Sequence, residues 1–229
     1  MHRETPQATD WDAYYRSPVP TARLSRKVTQ SVLIRLMRRH APATDRRLRI
    51  LEIGGGNSCF LDAIRAALDP VEYHVVDSNR LGLELLERRF SGDPGVVTHH
   101  ADARDLDLAV RADIVFSVGL IEHFDPPGTR SVVDAHFRVL AEGGTAILSF
   151  PTPTWLYRTA RSAVEAVGAW RFPDERPLER GEVAAAVERH AAVVAERVIW
   201  PIVLTQGVIV ARRAPARAAA AAREPEGAP

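Results

Sequence analysis

The chain has 229 residues, of which 46% are hydrophobic, and a formal net charge of +1. This composition predicts one folded domain with a sizeable core, and the sequence contains no apolar run long enough to span a membrane. The near-neutral charge argues against a dedicated nucleic-acid surface, and a single cysteine, Cys59, excludes a disulfide framework and favours a reducing, cytoplasmic location.

The first 20 residues are expected to form an N-terminal segment outside the main domain, residues 21–213. Residues 1–10 carry no periodic pattern, whereas Trp11, Tyr14 and Tyr15 form an aromatic cluster before two prolines. Between residues 21 and 40, apolar side chains recur at helical spacing and arginines occupy the remaining face. This pattern predicts a helix that covers the sheet.

Residues 49–60 begin as an apolar strand, which ends at three consecutive glycines, Gly54 to Gly56. A helical pattern of apolar residues follows these glycines. The glycines permit positive φ values and the close approach of a ligand to the main chain. Ligands of open parallel sheets bind at the carboxyl ends of the strands, so this turn is the default binding site. The alternative is a glycine turn that serves only a tight connection.

Glu52 lies near the end of this strand, where a buried carboxylate needs a partner, and a cationic or amine-bearing ligand would supply one. A dinucleotide fingerprint would require a third glycine where Cys59 stands, and no Gly-Lys-Ser/Thr follows for a phosphate-binding loop. The turn therefore fits neither motif fully.

Two further strands, residues 73–76 and 96–98, each end in an acidic residue, with a helix predicted over residues 79–90 between them. Asp77 follows the first of these strands, and an ionised carboxylate there can accept both ribose hydroxyls of a bound nucleoside. His99 and His100 point to opposite faces of the second strand, and no other ligands have matching spacing. No metal site is therefore predicted.

The rest of the chain continues the alternation of strands and helices. The sequence predicts strands over residues 113–118 and 145–150, with a helix around residues 132–140 that Gly143 and Gly144 close. A helix over residues 179–191 and strands over 193–200 and 203–212 follow. Residues 214–229 are alanine, proline and charge, which predicts a disordered tail.

Taken in order, Glu52, Gly54, Gly56, Asp77 and the later acidic strand ends resemble the motifs of class I S-adenosylmethionine-dependent methyltransferases, although Ser58 replaces the last glycine of the first motif. The resemblance covers residues 11–212. It implies an α/β three-layer sandwich with a seven-stranded, mostly parallel sheet that ends in an antiparallel hairpin, an N-terminal covering helix, and S-adenosylmethionine as cofactor.

The resemblance also implies roles for single residues. It makes Asp77 the ribose acceptor and Asp102 the acceptor for the adenine amino group. It also places a tyrosine over the cofactor, although packing of both rings onto the fold is an equal alternative. The predicted cofactor-binding residues are Glu52, Gly54, Gly55, Gly56, Asn57, Asp77, Ser78, Asp102, Ala103, Ser117, Val118, Tyr14 and Tyr15.

The pair Glu122-His123 follows the fourth strand, where enzymes of this class border the methionine part of the cofactor and the acceptor. His123 is the first candidate for a general base, because an imidazole titrates near neutrality. Glu122 is the second candidate. A histidine that only shapes the loop is the alternative interpretation.

Residues 151–178, the lid segment, are predicted to form a loop insertion over the acceptor, and the prolines fix the conformation of this loop. The candidate substrate residues are Trp155, Tyr157, Arg158, Trp170 and Arg171. An insertion that merely packs on the domain is the alternative.

The sequence therefore predicts a methyltransferase that uses S-adenosylmethionine to methylate an oxygen or nitrogen of a small molecule by direct in-line displacement. A sugar, a glycan precursor or a natural-product intermediate would suit the aromatic and arginine residues of the lid segment. The alternatives are a methyltransferase of RNA or protein, and a non-catalytic subunit that binds the cofactor and acts through a partner.

Overall fold

The computed structural model describes residues 8–17, 22–200 and 205–215 as alternating helices and strands. The helices are α1 (Trp11–Arg16), α2 (Ala22–His40), α3 (Leu61–Leu68), α4 (Arg80–Arg89), α5 (Pro126–Arg138), α6 (Trp155–Ala166) and α7 (Arg180–Glu188). The strands are β1 (Arg49–Ile53), β2 (Glu72–Asp77), β3 (Val96–His100), β4 (Ala112–Val118), β5 (Leu140–Pro151), β6 (Ala192–Ile199) and β7 (Gln206–Arg212). None of the described helices combines the length and apolarity needed to cross a bilayer.

All seven of these strands join one sheet in the order β3-β2-β1-β4-β5-β7-β6. The pairs from β3 to β5 are parallel, whereas β7 runs antiparallel to both β5 and β6. The predicted seven-stranded sheet with a closing antiparallel hairpin is confirmed. The strand order reverses between β1 and β4, so a crevice forms beyond the carboxyl ends of these two strands.

Each face of the sheet carries its own hydrophobic core, which makes the domain three layers thick. Leu33 and Met37 of α2 pack with Ile50, Ile64 and Phe116 on one face. On the opposite face, α5 and α7 cover the sheet. Their buried contributors include Val132, Val133, Val183 and Val187, which pack with Val115 and Ile209. The inner strands are buried on both faces, which is why their sequences are continuous apolar runs rather than alternating patterns.

The structure differs from the sequence prediction around Gly143 and Gly144. These glycines do not end a helix, because α5 stops at Arg138 and both glycines lie inside β5. The register with β4 jumps there from Leu140 to Thr145, so the intervening residues bulge out of the ladder. Gly143 has a φ of +72°, which an L side chain rarely adopts.

The lid segment also differs from the prediction of an irregular loop, because it contains the twelve-residue helix α6. Thr154 caps this helix by accepting a hydrogen bond from the Tyr157 amide at 3.2 Å. Within the predicted N-terminal segment, residues 11–16 form the short helix α1. The predicted tail lies outside the described residues except for Ala214 and Pro215, as do residues 1–7, 18–21 and 201–204.

An ion pair between a buried carboxylate and a half-exposed arginine joins the beginnings of the two central strands. Asp113 of β4 is 5% exposed, and it accepts two hydrogen bonds from the Arg46 guanidinium, at 2.8 and 2.7 Å. The same carboxylate accepts the backbone N–H of Arg49 at 2.8 Å, where β1 begins. Two parallel N–H donors to one carboxylate form a strong contact of fixed geometry, so this pair sets the direction in which the chain enters β1 and stabilises the start of that strand.

We expect Asp113→Asn to lower the free energy of unfolding by about 2 kcal/mol, because the amide nitrogen would face the Arg46 donors and leave a buried group unsatisfied. Urea denaturation measures this loss. The matched control is Asp69→Asn, which alters the exposed Arg47 pair and should cost less than about 0.5 kcal/mol. Equal losses in the two variants would show that the Asp113 carboxylate does not stabilise the fold more than the exposed Asp69 does.

Candidate active site

A cavity of about 1190 Å³ lies at the carboxyl ends of the central strands. Its walls come from the turn after β1, the ends of β2 and β4, the short helix α1 and the lid segment. The topology accounts for this position, because parallel strands direct their carboxyl ends to one edge of the sheet. Residues far apart in the sequence therefore meet around one space.

The glycine turn forms the floor of this cavity. The amides of Gly54 and Gly55 donate to the carbonyl oxygen of Val76 at 2.8 and 3.3 Å, so the turn is tied to the end of β2. Gly54 and Gly56 have φ values of +75° and +45°. A Cβ at Gly56 would lie against the Tyr15 hydroxyl, which covers this glycine. The turn therefore needs glycine both for its backbone angles and for this close approach.

Glu52 lines the cavity but finds its partners inside the protein. Its carboxylate is 3% exposed and accepts a hydrogen bond from the Tyr73 hydroxyl at 2.7 Å and one from Ser58. Burial raises the pKa of Glu52 to about 7, although both hydroxyl bonds act in the opposite direction. The predicted need for a partner is thus met by hydroxyl groups, without a ligand.

Asp77 ends β2 and is surrounded by donors. Its Oδ1 accepts the Asn79 amide at 2.7 Å, and the carboxylate also accepts hydrogen bonds from the backbone of Gly56 and Ser78 and from the Tyr15 hydroxyl. Burial nevertheless raises the pKa of this carboxyl. The Tyr15 ring lies between Gly56 and Gly82. Its hydroxyl donates to the Asp77 carboxylate, which is the group predicted to accept the ribose hydroxyls.

The third acidic strand end, Asp102, also lies in the cavity wall with Ala103. Asp102 caps a single 3-10 turn, Ala103–Asp105, and its carboxylate pairs with Arg104 at 2.6 Å. The hydrogen bond from Arg104 holds the pKa of Asp102 below its usual range. Asn57 and Ser78 line the same end of the cavity.

After β4, the chain turns sharply and presents Glu122 and His123 to the other end of the cavity. Gly119 has a φ of +67°, and its amide donates to the Ser149 carbonyl at 2.9 Å. The 3-10 turn Ile121–His123 follows. The amide of Arg176 donates to the Glu122 carbonyl at 2.9 Å, so the lid segment is anchored to this turn by main-chain contact.

His123 is held by the lid segment. Its Nδ1 lies 2.9 Å from Oδ1 of Asp174, and Asp174 also accepts hydrogen bonds from the Thr9 amide and hydroxyl. Burial tends to raise the pKa of Asp174, but these hydrogen bonds outweigh it and lower the pKa. With an ionised Asp174, Nδ1 carries the proton and Nε2 keeps its lone pair. Burial lowers the pKa of His123 despite this pairing, which favours the neutral ring.

Two more carboxyl groups lie beside His123. Glu122 is 1% exposed, and its Oε1 lies 4.0 Å from Nε2 of His123. Burial, followed by repulsion from Glu175, raises the pKa of Glu122 well above its usual value. Burial also raises the pKa of Glu175 to about 7, although the Tyr157 hydroxyl donates to it and Arg161 lies near. This end of the cavity is therefore an acidic, desolvated site.

An aromatic layer closes this end of the cavity. The Trp11 ring of α1 lies edge-on to His123, with ring centroids 5.0 Å apart. The Phe172 ring of the lid segment has its centroid 6.0 Å from that of Trp11 and 5.8 Å from that of Tyr14. The Trp170 centroid lies 6.0 Å from that of Phe172. Two segments that are remote in sequence thus meet over His123. Tyr14 and Tyr15 pack on neighbouring rings and also line the cavity, while a tyrosine over the cofactor stays a prediction.

The structure brings most, but not all, of the predicted residues to the cavity. Ser117 is buried within β4, where its hydroxyl lies 2.9 Å from Nε2 of His136, so it does not line the cavity. Trp155 is 74% exposed, and Arg158 is exposed as well. These two predictions assumed a loop, whereas α6 turns Tyr157 inward and places Trp155 and Arg158 on its outer side.

Two acidic residues that matter in this geometry, Asp174 and Glu175, were not among the predicted site residues. Their signal in the sequence is weak, since charged residues between prolines and aromatic residues are ordinary surface composition. Only the folding of the lid segment against the turn after β4 reveals their contacts. The predicted histidine pair behaves differently: His99 contacts Nδ1 of His74 through Nε2 at 2.9 Å, and His100 contacts the Ser78 carbonyl oxygen.

Comparison with known proteins relates the first part of the sheet to a known family. Residues 51–146 match a family model described as a methyltransferase domain. This region contains the glycine turn, Asp77, Asp102 and the Glu122-His123 pair, which are the motifs on which the sequence resemblance rests. Among curated protein sequences, none matches this chain.

Solved structures share the fold at low sequence identity. The N-methyltransferase NodS from Bradyrhizobium japonicum WM9 superposes with a TM-score of 0.63 and 15% identity, covering 84% of this chain and 98% of its own. NodS is also solved in complex with S-adenosyl-L-homocysteine. Magnesium protoporphyrin IX methyltransferase (ChlM) from Synechocystis PCC 6803, solved with the same product, gives a TM-score of 0.68 at 10% identity and covers 89% and 94% of the two chains.

The buried carboxyl of Glu52 yields a pH-dependence prediction. Its pKa in the folded protein, about 7, lies above the ordinary value of 4.5, so the folded state binds the proton more tightly than the unfolded state. The contribution to stability is therefore complete below about pH 4.5 and is lost as the pH rises towards 7. Each pH unit between these two pKa values corresponds to about 1.4 kcal/mol, so we expect a total loss of about 3 kcal/mol.

The variant Glu52→Gln keeps an acceptor for Tyr73 but cannot ionise. Urea denaturation of both proteins between pH 4 and 9 measures the effect. The stability of the wild type should fall relative to the variant between about pH 4.5 and 7 and run parallel to it above pH 8. Parallel curves over the whole range would exclude a strongly raised pKa of Glu52.

Proposed function

We propose that this chain, a class I S-adenosylmethionine-dependent methyltransferase, methylates an oxygen or nitrogen of a small molecule enclosed between α1, the lid segment and the turn after β4. The single observation that carries the proposal is the cavity itself. One end contains the glycine turn and acidic strand ends, and the other contains His123 in an aromatic, acidic chamber. A cofactor and an acceptor can therefore occupy the two ends of one space.

The residues at the first end fit the cofactor. S-adenosylmethionine supplies an electrophilic methyl group on its sulfonium, and a nucleophile displaces S-adenosylhomocysteine. We propose that the main chain of Gly54 and Gly55 receives the methionine part, that Asp77 accepts the ribose hydroxyls, and that Asp102 and the Ala103 amide border the adenine. The position of Gly54 and Gly55 in the cavity wall supports this assignment, because glycine has no side chain to keep a ligand from the backbone.

Under this proposal, the Tyr15 hydroxyl must leave Asp77 when the cofactor binds. Its hydroxyl bonds to the Asp77 carboxylate, the group that we assign to the ribose. The ribose hydroxyls and the Tyr15 hydroxyl therefore compete for the same acceptor oxygens. We expect Tyr15 to give up this bond when the cofactor binds, and the short helix α1 to shift with it.

We propose that His123 contacts the acceptor and removes its proton. The imidazole keeps a free Nε2 because Asp174 holds Nδ1 at 2.9 Å, and the ring faces the cavity. Methyl transfer needs a nucleophile aligned with the methyl carbon and the sulfur, with water excluded. The aromatic layer of Trp11, Tyr14 and Phe172 supports that exclusion. The enclosure also favours a small acceptor over RNA or a protein side chain, and magnesium protoporphyrin IX, named for ChlM, is such a molecule.

We expect Asp77→Ala to weaken binding of S-adenosylhomocysteine by about tenfold or more, because a hydrogen bond to a charged acceptor contributes about 1.5–3 kcal/mol. Isothermal titration calorimetry measures the dissociation constant, with a nicotinamide dinucleotide as the negative ligand. Asp45→Ala, at an exposed position, is the control and should bind as the wild type does.

The companion variant Tyr15→Phe tests the competition between the Tyr15 hydroxyl and the ribose hydroxyls for Asp77. It removes the Tyr15 hydroxyl and leaves the carboxylate, so it should bind S-adenosylhomocysteine at least as tightly as the wild type does. An unchanged dissociation constant in Asp77→Ala would refute the ribose assignment. Failure of the wild type to bind either S-adenosylmethionine or S-adenosylhomocysteine would overturn the proposed function.

We expect His123→Ala to lower turnover by about 10²-fold, the lower end of the contribution of a positioned base. The dissociation constant for S-adenosylhomocysteine should change by less than about threefold, since the assigned cofactor contacts lie at the other end of the cavity. Release of S-adenosylhomocysteine with an acceptor from a panel of phenols, sugars and amines measures turnover. His190→Ala, which alters the half-exposed pair with Asp134, is the control, and full activity of His123→Ala would reduce His123 to a structural role.

A further inference from the structure

Three side chains at the acceptor end of the cavity converge on one point. A carboxylate oxygen of Glu122, one of Glu175 and a ring nitrogen of His123 lie within 4.8 Å of one another. A point therefore exists within about 2.8 Å of all three atoms. Metal–ligand distances to nitrogen and oxygen are about 2.0–2.6 Å, so small side-chain movements would bring all three atoms into coordination range.

A second observation is that one carboxylate oxygen of Glu122 has no partner in the described part of the chain. Glu122 is 1% exposed, and its Oε2 is buried with no hydrogen-bond partner among the described residues. A buried carboxylate oxygen without a partner is costly. The other two members already have outer partners, so Glu122 is where the cluster is incomplete.

The contacts around the cluster resemble the support that metal ligands require. Asp174 binds Nδ1 of His123 at 2.9 Å, which directs the Nε2 lone pair to the opposite side of the ring. The Tyr157 hydroxyl donates to the Glu175 carboxylate. A carboxylate on the far nitrogen of a histidine fixes its tautomer and increases its basicity as a ligand.

We propose that Glu122, His123 and Glu175 hold one divalent cation, and that this cation binds a hydroxyl oxygen of the methyl acceptor. Two carboxylates and one imidazole suit Mn²⁺ or Zn²⁺, and Mg²⁺ more weakly. Three protein ligands leave coordination positions open towards the cavity. The inference rests on the proposed methyltransferase function and deepens it, because it assigns the acceptor to hydroxyl compounds such as phenols, enols and diols.

The cation changes how the acceptor loses its proton. A hydroxyl on a divalent cation ionises more readily, so its proton passes to water and leaves the cavity. The oxygen then forms the new C–O bond, and the bond between methyl carbon and sulfur breaks with its electron pair remaining on sulfur. In the loaded protein His123 is a ligand, whereas in the metal-free protein its Nε2 remains the base.

The test is a titration of the full chain with Mn²⁺ after dialysis against a chelator. The electron paramagnetic resonance signal of free Mn²⁺ reports uptake, and Zn²⁺ and Mg²⁺ are added as competitors. We expect about one Mn²⁺ per chain, and binding weakened by about tenfold or more in Glu122→Gln and in Glu175→Gln. The control Glu142→Gln, at an exposed position in β5, should bind Mn²⁺ as the wild type does.

The outcomes separate this inference from the proposed function. If the wild type takes up neither Mn²⁺ nor Zn²⁺, or if both glutamine variants bind as the wild type does, the metal site is overturned. Binding of ethylammonium instead, measured by calorimetry and lost in Glu122→Gln, would also overturn it in favour of an amine acceptor. Each variant is first checked for folding by its thermal melt and by binding of S-adenosylhomocysteine. Loss of cofactor binding by the wild type would be a failure of the proposed function alone.

Discussion

Burial of carboxyl groups at the carboxyl ends of the central strands is the constraint on which the site depends. Glu52, Asp77 and Glu122 end or follow three parallel strands that meet at one edge of the sheet. Desolvation raises the pKa of each, and each needs donors or a cation. The protein supplies hydroxyls to Glu52 and backbone amides to Asp77, while Glu122 keeps an oxygen without a partner among the described residues. The fold therefore satisfies two of these three carboxyl groups and leaves one oxygen of Glu122 unpaired among the described residues.

The short helix α1 and the lid segment meet each other through this same site. Thr9, just before α1, donates to Asp174 of the lid segment, and Asp174 in turn holds His123. Trp11 and Phe172 pack edge-on against the same imidazole. Closure of the cavity and orientation of His123 are thus one set of contacts, so a ligand that moves α1 also changes the environment of the histidine. The contacts of Asp174 therefore join α1, the lid segment and the turn after β4 in one network.

The fold accounts for the cofactor better than for the acceptor. The methyltransferase match ends at residue 146, before the lid segment begins. Structural relatives at 10–15% identity share the sheet and its layers, but many chemistries use one fold. Much of the chamber around His123 is built by residues outside the matched region, chiefly Asp174, Glu175 and the rings of Trp11 and Phe172. The acceptor must be inferred from those side chains.

The sequence alone determined the sheet, the glycine turn and the acidic strand ends, because apolar runs, glycine conformational freedom and strand-end position are local properties of Ile50, Gly54 or Asp77. Only the tertiary structure decided which side chains face the cavity beyond β4. Helix α6 directs Tyr157 towards the cavity and Trp155 away from it, and Ser117 forms a buried hydrogen bond with His136 instead of lining the cavity. The partnership of His123 with Asp174, 51 residues away, depends on how the lid segment folds back. No local pattern encodes a contact of that range.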